Sequence, residues 1–206
     1  PKLNSATAGD PIISSDYSEY NNHMDETKLV SNTWIEKGVA MKFTWYPGEN
    51  LEQFQPFNQV YGVVFNADGQ MLIQRRGLRP WCLAGGTVEV GETAEETLRR
   101  ELIEEADVTV KNPILLGGQR VQFPGGHNPN PGKRGGGDDF YQLRYYCEVD
   151  EVLPQTPDPD HDIINDRLFV PQTEINNYLN WGITGQVIFD QAIALWLSLH
   201  PVPLGG

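Results

Sequence analysis

The segment from Thr93 to Ala106 constrains this chain more than any other. Thr93 followed three residues later by Glu96 makes a capping box, in which each side chain satisfies the other's backbone N–H, so a helix begins there. Ala94, Leu98 and Leu102 recur at helical spacing and form an apolar face that must be buried against a sheet. Glu101, Glu104 and Glu105 are three and four residues apart and share a neighbouring face. Glu105 falls almost on the apolar seam itself. Two carboxylates ~6 Å apart at an effective dielectric of about 20 repel by roughly 3 kcal/mol, so such a helix needs an offset. Protonation supplies one by raising the carboxyl pKa values. A hard divalent cation, Mg²⁺ or Mn²⁺, supplies a better one, because carboxylate oxygens suit it. The plainer alternative is a solvated acidic face with Arg99 and Arg100 as partners, which is the ordinary reading of three glutamates taken alone.

The distribution of charge points the same way. The 206 residues carry a formal charge of −13, which disfavours nonspecific binding to nucleic acid or to an anionic membrane, both of which need a basic face. Eight of the 28 acidic residues fall between Glu89 and Asp107, and six more between Glu148 and Asp162. A surface charged only for solubility would spread them. Apolar residues at 39% and charged residues at 21% are ordinary for a globular chain, and no stretch reaches the uninterrupted apolar length of a membrane span. Cys82 and Cys147 sit in apolar and aromatic surroundings and read as packing residues of a reducing compartment, so a cytoplasmic location is expected.

Residues 1 to 54 read as an N-terminal extension and 55 to 206 as the main domain. The first 27 residues are polar, with Tyr17 and Tyr20 as the large anchors, and are expected to dock on the domain or a partner. Leu29 to Tyr46 has strand character, with Val39, Met41, Phe43 and Trp45 alternating. Val60–Phe65 and Met71–Ile73 flank Asn66-Ala67-Asp68-Gly69 and read as a hairpin. Arg75, Arg76 and Arg79 leave its second strand, followed by Trp81–Leu83 and Gly85-Gly86. Past the helix, Val108–Val110, Ile114–Val121, Phe140–Val149 and Leu168–Val170 read as strands, Pro124–Gly137 as a loop, and Thr173–Leu179 and Gln186–His200 as helices.

Gly86, Glu92, Arg100, Glu101, Leu102, Glu104, Glu105 and Val108 stand at the spacing G-x5-E-x7-R-E-U-x-E-E-x-G-U, where U is bulky and aliphatic. In this the chain resembles the Nudix hydrolase family, departing only at Asp107, where the pattern has its last glycine. Asp is one of the few other residues that tolerate the left-handed conformation, so the turn survives. Ala84 replaces a proline usual before the paired glycines, and neither change removes a carboxylate. The resemblance implies an α/β fold, an α/β/α sandwich with a mixed β-sheet, here with the N-terminal extension added. It implies that Glu101, Glu104, Glu105 and the carbonyl of Gly86 hold Mg²⁺ (or Mn²⁺), and that Glu92 and Arg100 form an ion pair fixing loop to helix.

A metal-activated water would then attack a phosphoric anhydride. Its proton goes to a signature glutamate, Glu104 or Glu105, or to a late acidic loop containing Asp158, Asp160, His161 and Asp162, of which Asp160 is favoured. Arg75 and Arg76 are candidates for the substrate phosphates, while Arg79 is expected at the surface. Lys133 and Arg134 are either a lid or loop solubilisers. Trp45, Tyr46, Phe54 and Phe57 could stack a base, but core is the more frequent role for such residues. The substrate implied is a nucleotide-type small molecule, a nucleoside diphosphate linked to another moiety. Pro124 lies where ADP-ribose-cleaving members often carry proline, which puts ADP-ribose or a nucleotide sugar first. A nucleoside triphosphate pyrophosphatase and a nucleotide sensor without turnover are the alternatives. No nucleic-acid or membrane partner is expected, and the N-terminal region is a candidate pocket wall or homodimer interface.

Overall fold

β1 (Val30–Glu36) and β2 (Val39–Pro47) form a hairpin in which Lys37 and Gly38 both take positive φ, the two-residue turn that matches the twist of paired strands. The structure, a computed structural model, describes residues 29–126, 128 and 137–201. The expectations placed on residues 1–28, Lys133 and Arg134 lie outside the described residues. The chain continues through β3 (Phe57–Phe65), β4 (Met71–Arg75), β5 (Gly85–Thr87), α1 (Ala94–Ala106), β6 (Val108–Gln122), β7 (Asp139–Val152), β8 (Asp166–Val170), α2 (Ile175–Tyr178) and α3 (Gly182–Leu199).

The strands make a mixed sheet in the order β1-β2-β6-β7-β3-β4-β8, with β5 added against β3. β3 and β7 run parallel and every other pair is antiparallel. Strand alternation sends successive side chains to opposite faces. Val60 and Val64 of β3 and Leu143 and Cys147 of β7 meet Leu98 and Leu102 of α1 on one face. Val63, Phe65 and Tyr146 meet Ile188, Phe189 and Ala192 of α3 on the other. The result is the expected α/β/α sandwich.

The hairpin β3–β4 closes through Asn66, whose side-chain oxygen accepts from the N–H groups of Asp68 and Gln70. Beyond Phe65↔Met71 the two strands part, β4 going to β8 and β3 to β5. α1 lies over this fork. The expected short strands at 108–110 and 114–121 are one strand, β6: Asn112, at φ 52°, and a register shift between Lys111 and Ile114 carry the ladder past Pro113 as a bulge. The helix expected over 173–179 is a 3₁₀ turn followed by the short α2, and α3 starts at Gly182, before the expected Gln186. By length and composition α3 could cross a bilayer, which the sequence was not expected to offer anywhere, but here it packs on the sheet through Ile188, Phe189 and Ala192. Trp45 and Phe54 are each 1% exposed and belong to the core, on opposite faces.

Candidate active site

α1 starts with the reciprocal capping box: the Thr93 hydroxyl accepts from Glu96 N–H, and the Glu96 carboxylate accepts from Thr93 N–H at 2.8 Å. Just before it, Glu92 accepts from Arg100 Nε at 2.7 Å and Nη2 at 3.1 Å, and from Thr97 Oγ1 and Glu89 N–H. The guanidinium beside it, with these further donors, holds the Glu92 carboxyl down at about 2. The pair ties the loop after β5 onto the helix, and Arg100 also donates to the Thr87 carbonyl.

Arg100 continues outward. Its Nη1 donates to Glu101 at 3.0 Å and to Glu104 at 2.9 Å, so one arginine gathers two carboxylates of the helix and that of Glu92 in the loop before it. Glu105 lies in the fork of the sheet, where its Oε2 accepts from Gly85 N–H of β5 at 2.9 Å and from Gln74 Nε2 of β4 at 3.0 Å. Burial pushes the Glu105 carboxyl up to about 7, with Glu101 and Asp158 adding to the rise and the two donors opposing it. Glu101 is likewise pushed to about 7, first by burial, against the pull of Arg100 and with Glu104 and Asp160 adding to the rise. A Cβ at Gly86 would collide with the Glu101 carboxylate, so glycine is what lets β5 pass this close.

The late acidic loop reaches the same place, since Asp158 and Asp160 are near enough to act on Glu105 and Glu101. Asp158 is buried and organises that loop: its carboxylate accepts from Asp160 N–H at 2.8 Å and its carbonyl accepts from His161 and Asp162 N–H. The Asp160 side chain stands at the surface of the turn. Arg75 is occupied elsewhere, with Nε 2.8 Å from Asp166 and its guanidinium 4.7 Å over Trp81. Arg76 is half-buried and Arg79 exposed. The Cys82 thiol, pushed up to about 12 by burial and then by Glu105, stays neutral.

Sequence reasoning missed how the helix is closed. Asp107 takes the left-handed conformation, φ 50° and ψ 48°, and its carboxylate accepts from Thr156 N–H and Oγ1 at 3.0 and 2.7 Å. Arg167 Nη1 donates to the carbonyls of Ala106 and Asp107, and Asn165 Nδ2 to that of Glu105. Nothing at Thr156, Asn165 or Arg167 marks them in sequence as partners of a helix fifty or sixty residues away.

The donor set fits a hard divalent cation. Glu101 presents its carboxylate beside Gly86 and Glu105 beside Gly85, with Glu104 joined to Glu101 through Arg100, and Glu101 and Glu105 are held half-buried against their preference for water. Among the described residues no three His, Cys, Asp or Glu side chains are gathered into a ready-made cage. Arg100 and the fork donors Gly85 and Gln74 hold these carboxylates instead.

The Nudix domain model matches residues 56–189. Over 59 residues the chain is 41% identical to an RNA pyrophosphohydrolase of Sodalis glossinidius, a match that spans 28% of this chain and about a third (34%) of that relative's length. A solved pyrophosphohydrolase of Bacillus subtilis superposes with a TM-score of 0.53 at 14% identity, covering 78% of this chain and 94% of that one. A MutT protein from Bacillus halodurans gives 0.49 at 22% identity, covering 66% and 80%. The signature carboxylates, the sheet fork that receives Glu105 and the family match over most of the chain agree: this chain belongs to the Nudix family.

Proposed function

We propose that the protein hydrolyses a phosphoric anhydride in a nucleoside diphosphate linked to another moiety, a nucleotide sugar or related compound, with Mg²⁺ or Mn²⁺. The observation that carries this is the half-burial of Glu101 beside Gly86 and of Glu105 beside Gly85, with both carboxyls raised to about 7 and, among the described residues, no lysine or arginine bonded to Glu105. Glu101, Glu104, Glu105 and the Gly86 carbonyl would hold the metal. A divalent ion held there would supply the charge that screens the diphosphate and acidifies an attacking water. Asp160 accepts that water's proton as its oxygen forms a bond to phosphorus and the bridging P–O bond breaks, releasing a nucleoside monophosphate and the second phosphate-bearing product. Arg76, half-buried at the exit of β4, binds the distal phosphate, with Arg75 joining it only by leaving Asp166.

The stretch shared with a pyrophosphohydrolase supports a second reading, release of pyrophosphate from a nucleoside triphosphate. A sensor without turnover is disfavoured because every signature carboxylate is present. The test is product analysis on nucleotide sugars, ADP-ribose, dinucleoside polyphosphates and nucleoside triphosphates, with Mg²⁺ or Mn²⁺, comparing wild type with Glu105→Gln. Metal-dependent release of a nucleoside monophosphate, lost in the variant, is expected. Pyrophosphate as the product moves the assignment to the second reading, and binding without turnover on any compound overturns both.

A further inference from the structure

Arg144 of β7 is 3% exposed and has no carboxylate partner among the described residues. Its Nη2 donates to Gln119 Oε1 at 2.7 Å and Gln142 Oε1 at 3.0 Å, and its Nη1 to the Leu143 carbonyl at 3.2 Å. Its Nε has no hydrogen-bond partner among the described residues. The guanidinium lies 4.5 Å over the Tyr61 ring and 5.8 Å from that of Trp181, and these two rings and Gln142, all half-buried, form the outer rim of the recess that holds it. Burial pushes Arg144 down to about 10, which leaves it charged at neutral pH. A buried charge surrounded by neutral amides is costly, and packing on Tyr61 only partly offsets it. The neighbourhood is positive twice over. Gln119 links Arg144 to Thr184 in the first turn of α3, an 18-residue helix whose N-terminus has no side-chain cap. The recess lies on the α3 face of the sheet and the α1 carboxylates come from the other; the two meet through the backbone of the fork, where Tyr61 pairs with Gly85, whose N–H is bonded to Glu105.

A buried donor-only head beneath two half-open aromatic rings suits a flat heterocycle presenting acceptors along one edge. Guanine offers O6 and N7 there, whereas adenine offers N7 beside an amino group that would face N–H donors. Uracil and cytosine differ in the same sense at position 4. We infer that Arg144, with Gln119, Gln142 and the rings of Tyr61 and Trp181, selects the base of the substrate, accepting carbonyl-edged bases (guanine, uracil) over amino-edged ones (adenine, cytosine). The inference deepens the proposed hydrolase reading and depends on it for the path of the phosphates. Within that substrate class it places guanosine- and uridine-linked compounds ahead of ADP-ribose.

Two measurements on the 206-residue protein separate the inference from the reading it rests on. Calorimetric binding of GMP against AMP, and UMP against CMP, to metal-free protein tests the recess without turnover. The ratio of kcat/KM for GDP-linked against ADP-linked sugars tests it with turnover. Wild type is expected to favour the carbonyl-edged partner by at least about tenfold, the lower range for one bidentate base contact. Arg144→Gln is expected to bring the ratio to within about twofold. Should that variant fail to fold, Gln142→Glu serves, because an internal carboxylate then occupies the guanidinium; the protein stays folded and the preference falls. Equal binding of GMP and AMP by wild type, or a preference that survives both substitutions, overturns the inference. Selective GMP binding with no metal-dependent turnover on any compound supports the inference and overturns the hydrolase reading.

Discussion

Glu105 is held where a carboxylate is least comfortable, and this has a measurable signature. Its folded pKa is raised to about 7 from an ordinary 4.5, so the native state binds the proton more tightly than the unfolded chain does. A carboxyl shifted upward destabilises the fold progressively as pH rises from about 4.5 to about 7, fully above that window and not at all below it. Glu105→Gln keeps an oxygen to accept from Gly85 N–H and Gln74 without the charge. In metal-free urea denaturation the variant should match wild type near pH 4.5 and exceed it at pH 8, by at most about 3 kcal/mol. Saturating Mg²⁺ at pH 8 should stabilise wild type and leave the variant nearly unmoved, so the ranking narrows or reverses. A variant no more stable than wild type at pH 8 without metal would show that Glu105 is not under electrostatic strain. Asp107 teaches a different lesson at this scale. The sequence showed a departure from the family glycine and a tolerable backbone; it could not show that the carboxylate is used, bonding Thr156 and so fastening the helix end to the segment before β8.

Among the elements, the fork of β3, β4 and β5 decides whether α1's carboxylates can be held at all. Gly85 has φ 147° and its absent Cβ position is blocked by the Val60 carbonyl, while its N–H bonds to Glu105. Gly85→Ala should therefore push β5 off β3 and release Glu105, with destabilisation of several kcal/mol or failure to fold, since side chain and backbone cannot both be accommodated. A folded Gly85→Ala protein with near-normal turnover would mean that the β3–β5 pairing does not position the site. Local signals made much of this legible. The capping box, the Asn66 turn and the apolar period of α1 are short-range effects and appear where the sequence puts them. β6 was not legible as one strand because Asn112-Pro113 reads as a break, and only the cross-strand ladder to β7 shows that it is a bulge. The ties from Arg167 and Asn165 to the end of α1, and the Arg144 recess, join residues distant in sequence, and no periodicity encodes such partners.

Across the whole molecule the question is where the folding unit begins. The family match starts at residue 56, and the sequence reading set a boundary at 54/55. The sheet runs past that line: β2 pairs with β6 from Lys42↔Gln122 to Pro47↔Gly117. Trp45 is buried under α3 with Nε1 3.2 Å from Gln191 Oε1, and Phe54 is buried on the α1 face beside Tyr141. Emptying such positions costs about 3–5 kcal/mol each, against a total stability of about 5–15 kcal/mol for a typical domain. Removing β2 also bares β6 as a long edge strand carrying unpaired N–H and carbonyl groups, which favours aggregation. A chain beginning at residue 55 is therefore expected to be insoluble or to lack a cooperative thermal transition, although it contains every signature residue. The single substitution Trp45→Ala in the full chain should lose about 3–5 kcal/mol and keep measurable turnover. If the shortened chain instead unfolds cooperatively at the temperature of the 206-residue chain, β1 and β2 are an appendage, and the domain is bounded where the family match begins.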